Sequence, residues 1–571
     1  MARGSQGGGC SFWPGVRRRG GSVRPAHCGA RTHRRDRASA LRCSQATSFP
    51  GQLRIAGESV PARAAAKRGL RARDTWHPRV RLSDHRRVRK RRGIRHRGGR
   101  MAAARPSGSR GCVMTSVSER LSSWALGLSL VEIPEPVLHS AKRHLLDGVG
   151  LAMAARQLGA AQAAFGVGSQ FATSFGVRAL GGDDLLAPEA AALVDGVLVH
   201  ALDFDDTHAG GLVHATAVSL PAVFAAGQRE RSTGADSLVG AVIGLETVCR
   251  VAAASPHGFH ARGLHATSIC GTLSSALVDS YLAHVPVTTA TSALGIAGSL
   301  SGGLLEFLDT GSDTKTLHPG LASMNGLLAA NLARAGGNGP NTVLEGRRGI
   351  FATMSAREAD PESIVADLGQ RWESTQISVK PIPACQLLHV TLDAVTGNPG
   401  LWQDIVEIEA VVHPDSAGVV CEPRGPKNHP KSSYDAKFSL PWSLAARLID
   451  GQVSLDTYSD EAIGRPEVAA LAAKVRIVPG PTDLPAADAS GEVRIRYADG
   501  SEWEGRVAGS RGTRRNPLSD EDLQEKFLLN CGSHPRSVEL RDAIMHIEEL
   551  PSLDSIHDLA AEIIQQEAVK V

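Results

Sequence analysis

VDGVLVHALDFDDTHAGGLVHATAVSLP, residues 194–221, sets three acids and two histidines between two apolar runs. The flanking runs, rich in Ala, Val and Leu, carry apolar residues all round, so both read as buried helices. Asp203, Asp205, Asp206, His208 and His214 therefore sit where two core-forming helices meet. Such charge is there to satisfy backbone ends, or to line a pocket in which acids and imidazoles move protons. Gly210 and Gly211 suit a tight turn at a helix start, with Asp206 and Thr207 as its caps. That local account leaves His214 unexplained, and as an acid or base it would be oriented by Asp203.

The same Ala, Gly and Ser usage continues outward. It predicts helices at about 216–228, 235–254, 267–283, 287–302 and 320–335, after a long one over 136–159 that Gly159 caps. Small side chains let helices approach closely, which favours a many-helix domain over a βαβ sheet. Residues 160–184 read as a small loop or ribbon. Composition changes near 376. VEIEAVV (406–412) and KVRIV (474–478) read as strands, and GEVRIRYADG running into SEWEGRV reads as a hairpin. SLPWSLAARLIDG and PEVAALAAK read as helices between them, and 413–438 as a long loop. Ser519 and Asp522 are spaced as a capping box for a return to helix. The expected fold is mainly α, a large all-helical domain with an inserted, smaller α+β lid. The helical domain spans 114–376, the lid 377–507, and helices over 508–571 complete the first domain.

The chain's net charge of +5 hides two opposite parts. Residues 1–113 hold 27 Arg and 2 Lys against 4 acids, leaving 34 basic and 54 acidic residues beyond them. With almost no apolar periodicity, that first segment is expected to be a disordered extension. A nucleic-acid arm, an organelle presequence and translation upstream of a working start at Met114 all fit it; the last is the reading taken here. It lacks aromatic interleaving, so nucleic acid is not the expected partner. The cysteines of the acidic part, Cys249, Cys270, Cys385, Cys421 and Cys531, show no CxxC, which suits a reducing compartment. The expected location is the cytoplasm, or mitochondria if the extension is a presequence. No apolar run is long enough to span a membrane.

Three further stretches carry chemistry. HGFHARGLHATSICGT (257–272) places His257, His260 and His265 together, but no acid or cysteine completes a compact metal set, so no metal is expected. His265, opening a helix, is better placed as a catalytic group. GLLEFLDTGSDTKTLHPG (303–320) offers Lys315 in a polar loop, and KPIPACQLLH offers Lys380 and His389. Two lysines returning to one cleft would bind carboxylates or offset developing negative charge. No dinucleotide or phosphate loop is present, and no cofactor is expected.

Taken together, HALDFDDTH, GLVHAT, GLHATSICGT, LGIAGSLSGGLLEFLDTGSDTKTLHPG, KPIPAC and YDAKFSLPWSLA resemble the MmgE/PrpD family over roughly 117–565. That family includes 2-methylcitrate dehydratase, cis-aconitate decarboxylase and iminodisuccinate epimerase. The resemblance implies a cofactor-independent homodimeric lyase for a small di- or tricarboxylate. It implies catalytic roles for Asp203, His214, His265, Lys315 and Lys380, and substrate contacts from Thr207, Lys315, Lys380 and His389. A 2-methylcitrate dehydratase-like reaction is expected first, with a decarboxylase or epimerase as alternative. A carboxylate- or nucleic-acid-binding protein is the non-enzymatic reading. Two family arginines are replaced, by Thr316 and Gln386.

Overall fold

A computed structural model of the chain describes residues 115–568. Every expectation made for the arginine-rich extension lies outside the described residues. The mainly helical class is what the structure shows.

The first layer includes eight helices, α1 (Val117–Gly127), α2 (Glu135–Gln157), α3 (Pro188–His200), α4 (Thr216–Glu230), α5 (Gly234–Ala253), α6 (Ala266–Leu282), α7 (Val287–Leu300) and α8 (His318–Arg334), together with the C-terminal helices Asp520–Asn530, Ser537–Met545 and Asp554–Ala568. The chain enters through a capping box in which Ser116 Oγ accepts from the Glu119 N–H and Glu119 Oε2 accepts from the Ser116 N–H. Every residue of α6 is buried. Its hydroxyls stay satisfied by donating to carbonyls, Ser274 to Gly244 and Ser275 to Val218, so a Ser/Thr-rich helix can occupy the centre of a core. Helix α8 packs on α3, α6 and α7, and α6 also packs on α4 and α5.

The contact between α3 and α8 is backbone on backbone. A Cβ on Gly196 would lie 2.6 Å from Gly320 Cα, and one on Gly320 would overlap the Leu193 carbonyl oxygen. Gly320→Ala is therefore expected to destabilise the protein by about 1–3 kcal/mol, because neither backbone can yield. A chemical denaturation midpoint equal to that of the parent protein would refute this.

The second layer is a four-stranded sheet of β1 (Ile405–Val412), β2 (Val475–Pro479), β3 (Gly491–Tyr497) and β4 (Glu502–Val507), in the order β2-β1-β3-β4. The β1–β2 pair is parallel and the others antiparallel. Ile408, Val493 and Ile495 face a core shared with Leu388, Leu392, Trp442 and Leu444 from helices Gln386–Ala394 and Leu440–Asp450. On the other face Arg494 pairs with Glu409 and Arg496 with Glu407, exposed pairs that contribute little. The first core draws on residues between 117 and 379 and again between 518 and 563, and the second on residues between 384 and 497 together with Ala209.

Helix and strand positions follow the apolar periodicity closely, and Ser519 and Asp522 do form a capping box. One expectation fails, and one is met only in part. The stretch 413–438 is not an open loop but holds helices Pro414–Val420, Arg424–Asn428 and Ser433–Ala436. Each is under two turns long, too short to show a period. Residues 160–184 begin with a helix, Gln162–Gly168, before the strand Ala172–Arg178 pairs with Leu185–Leu186. Among the described residues no helix is long and apolar enough to cross a membrane.

Candidate active site

The loop between α3 and α4 makes the site. Asp203 and Leu212 take left-handed backbone conformations, φ 49° and 52°, which cost a side-chain-bearing residue free energy and persist only where the surroundings impose them. Asp206 caps α4 from ten residues upstream, accepting from the Thr216 N–H at 3.1 Å and from its hydroxyl. Its backbone carbonyl takes the His214 Nδ1–H at 2.8 Å. A carbonyl only accepts, so in the neutral ring His214 Nε2 is the acceptor. The cap expected of Asp206 is present, while Thr207 instead joins a two-residue bridge to Ile377 and Ser378.

Lys315 converges on this loop from the start of α8. Its Nζ lies 2.8 Å from His200 Nε2, 3.3 Å from His214 Nε2 and 3.4 Å from Asp203 Oδ2. All three ammonium protons thus have acceptors. His200 donates from Nδ1 to Asp205 Oδ2 at 2.7 Å. On the other side of Asp203, Lys380 Nζ is 2.5 Å from Oδ1 and 3.0 Å from the Asp203 carbonyl oxygen. One buried carboxylate therefore bridges two buried ammonium groups. His265 and His318 face each other through their Nδ1 atoms at 3.1 Å, and the His265 ring centroid is 6.0 Å from that of His214.

These groups border one cleft. Asp203, Thr207, His214, His265 and Lys315 line it, so the structure brings five of the seven expected residues together. The Thr207 hydroxyl has no hydrogen-bond partner among the described residues. Lys380 and His389 do not line the cleft. Lys380 is fully buried behind Asp203, where it can act on a ligand only through that carboxylate. His389 is buried and donates from Nε2 to the Ala384 carbonyl. The substrate contacts expected of these two are not placed by this geometry. Nor does Asp203 orient His214, whose Nδ1 rests on the Asp206 carbonyl with Asp205 Oδ2 at 3.5 Å.

Sequence reasoning named Asp205 and His260 in its candidate stretches without a role in this cluster, and it missed His200 and His318. All lie inside the quoted motifs. What was not visible is that α3 and the start of α8 pack so closely that His200, the last residue of α3, and Lys315, three residues before α8, reach the same point. The opposite wall is apolar, with Leu212, Leu305, Phe307, Leu308, Leu387, Val419 and Phe438. Gln386, in place of a family arginine, lines the cleft, whereas Thr316 turns away to donate to the Asp313 carbonyl.

Burial would raise the Asp203 carboxyl, but Lys315 and Lys380 outweigh it and hold it well below the usual carboxylate range. Burial, reinforced by Lys315, pushes His200 and His214 well below the ordinary imidazole value. Burial, then His318 and Lys315, does the same to His265. Burial also lowers Lys315, with Asp203 opposing it. The cleft thus holds neutral imidazoles beside the Lys315 ammonium and the Asp203 carboxylate. His200, Asp205 and His214 offer ligand atoms within 4.8 Å of one another. The Lys315 ammonium already donates to both imidazoles, so a metal cation would have to displace it, and the donor set fits an anion better than a cation.

The chain matches the models of the MmgE/PrpD N-terminal domain over residues 119–362 and the MmgE/PrpD C-terminal domain over 382–548. It is 28% identical over 472 residues to a cis-aconitate decarboxylase of Aspergillus terreus, covering 78% of this chain and 96% of that one. It is 27% identical over 486 residues to the cis-aconitate decarboxylase of Mus musculus, covering 80% and 96%. The corresponding protein of Homo sapiens is 27% identical over 436 residues, covering 73% and 88%. With both domain models matched in order and the convergent Lys–Asp–His cleft between their residues, the chain belongs to the MmgE/PrpD family.

Proposed function

We propose that the protein is a cofactor-independent lyase that decarboxylates a small unsaturated tricarboxylate of the cis-aconitate kind. The observation that carries this reading is the Lys315–Asp203–Lys380 chain, which fixes the Lys315 ammonium in a buried cleft beside imidazoles able to move one proton. The decarboxylase names of the relatives favour this reaction over the dehydratase expected first.

The chemistry asks for little. The bond to the carboxylate on the CH₂ carbon breaks and its electron pair forms a new C=C. The old double bond shifts its pair towards the remaining carboxylates, and its far carbon takes a proton. The tricarboxylate plus one proton gives a dicarboxylate and CO₂, so charge balances. Lys315 would hold the carboxylate on which charge develops, in a site dry enough for that contact to be strong. The Thr207 hydroxyl would donate to a second carboxylate. His265 or His214 would supply the proton, and three arriving negative charges raise an imidazole that burial had lowered.

Proton NMR in D₂O tests the assignment, with cis-aconitate, 2-methylcitrate, citrate and iminodisuccinate in separate samples of the full chain. Consumption of cis-aconitate with one carbon-bound deuterium in the product is expected. Loss of water from 2-methylcitrate, with cis-aconitate untouched, would replace the decarboxylase reading by the dehydratase one.

A further inference from the structure

We propose that His260, His257 and Asp415 form a proton relay that recharges His265 from solvent after each turnover, a role that rests on His265 being the proton donor of the decarboxylation above. Each such turnover consumes one proton inside a cleft whose outer wall is apolar, so the donor must be reloaded while product or the next substrate blocks the mouth.

The groups lie in a row. Ring centroids are 6.1 Å apart from His265 to His260 and 6.0 Å from His260 to His257, and His257 Nδ1 is 3.9 Å from Asp415 Oδ2. Rings at that spacing exchange a proton through one water or after a small rotation. The Asp415 side chain is 31% exposed and is gripped by Arg357 at 2.9 and 3.4 Å. Asp415 meets solvent at the far end of the row, and His260 within it is partly buried. His260 Nδ1 and His257 Nε2 are buried with no hydrogen-bond partner among the described residues. An imidazole takes a proton at one nitrogen and releases it from the other, which needs such free atoms on facing sides.

A capping or packing role accounts less well for His257. It precedes the short helix Gly258–Ala261 but makes no capping bond, and it holds φ 56°, a costly conformation for a side-chain-bearing residue. The charges facing these rings come from several elements. Asp415, Arg357 and His413 act on His257, and His257, Lys315, Arg357 and Asp415 act on His260. Burial first, then His257 and Lys315, push His260 down to about 3, so it passes a proton on rather than storing it.

The test uses His260→Gln and His257→Gln in the full chain, with ¹⁵N-labelled histidine. In dilute buffer kcat on cis-aconitate should fall about tenfold or more with KM unchanged, and added imidazole should restore it. The His265 ring N–H should exchange with water more slowly by a similar factor when a saturating tricarboxylate fills the cleft. Unchanged exchange in both variants overturns the relay, as does a fall in kcat that imidazole does not touch. If the parent protein leaves cis-aconitate intact while exchange still slows in the variants, the relay stands and the decarboxylase reading falls.

Discussion

Asp203→Asn is expected to cost about 3–5 kcal/mol of folding stability at neutral pH, since it leaves Lys315 and Lys380 buried without their shared counter-charge. Asparagine keeps the shape, and its amide oxygen can face only one of the two ammonium groups. The pH dependence identifies the cause. Because the folded carboxyl titrates well below its unfolded value of about 4, its contribution is fully present above that value. It is lost as pH falls towards the folded value. Denaturant midpoints of the parent and variant should therefore differ most above about pH 5 and draw together in acid. A variant as stable as the parent at pH 7 would mean that the two lysines are not both charged.

His265→Ala should lower kcat by about 10² to 10⁴ while leaving the denaturation midpoint close to that of the parent. His265 begins α6 but makes no side-chain cap, and its polar contact is with His318. The helix therefore loses little when the ring is removed, whereas proton delivery loses its donor. Steady-state rates with cis-aconitate check this, and unchanged turnover would pass the role to His214.

Much of this was legible in the chain. The spacing of apolar residues located the helices because each is long enough to show its period, and the Asp-Gly turn located the hairpin. Short helices between 413 and 438 carry too few residues to do so. In the site, residue types were readable and directions were not. Lys315 and Lys380 looked alike as lysines returning to one cleft. One faces that cleft and the other props Asp203 from behind, a difference set by which side of the loop each segment approaches. The string His257, His260, His265 was legible as a group of imidazoles, but not its arrangement: the rings stand about 6 Å apart in a row, which the folding of residues 257–265 around a left-handed His257 decides.

The glycine contact between α3 and α8 has a consequence for how this cleft can change over evolutionary time. With no side chain between the two backbones, there is nothing to repack between α3 and α8, so a shift of one helix against the other moves the anchor points of His200, Lys315 and His318 together. The facing wall has no such restraint, because Gln386, Leu387, Val419 and Phe438 reach the cleft through side chains alone. Proton handling is thereby a fixture of the helical half, and the choice of carboxylic acid is a fitting that can be exchanged on the other side without disturbing it.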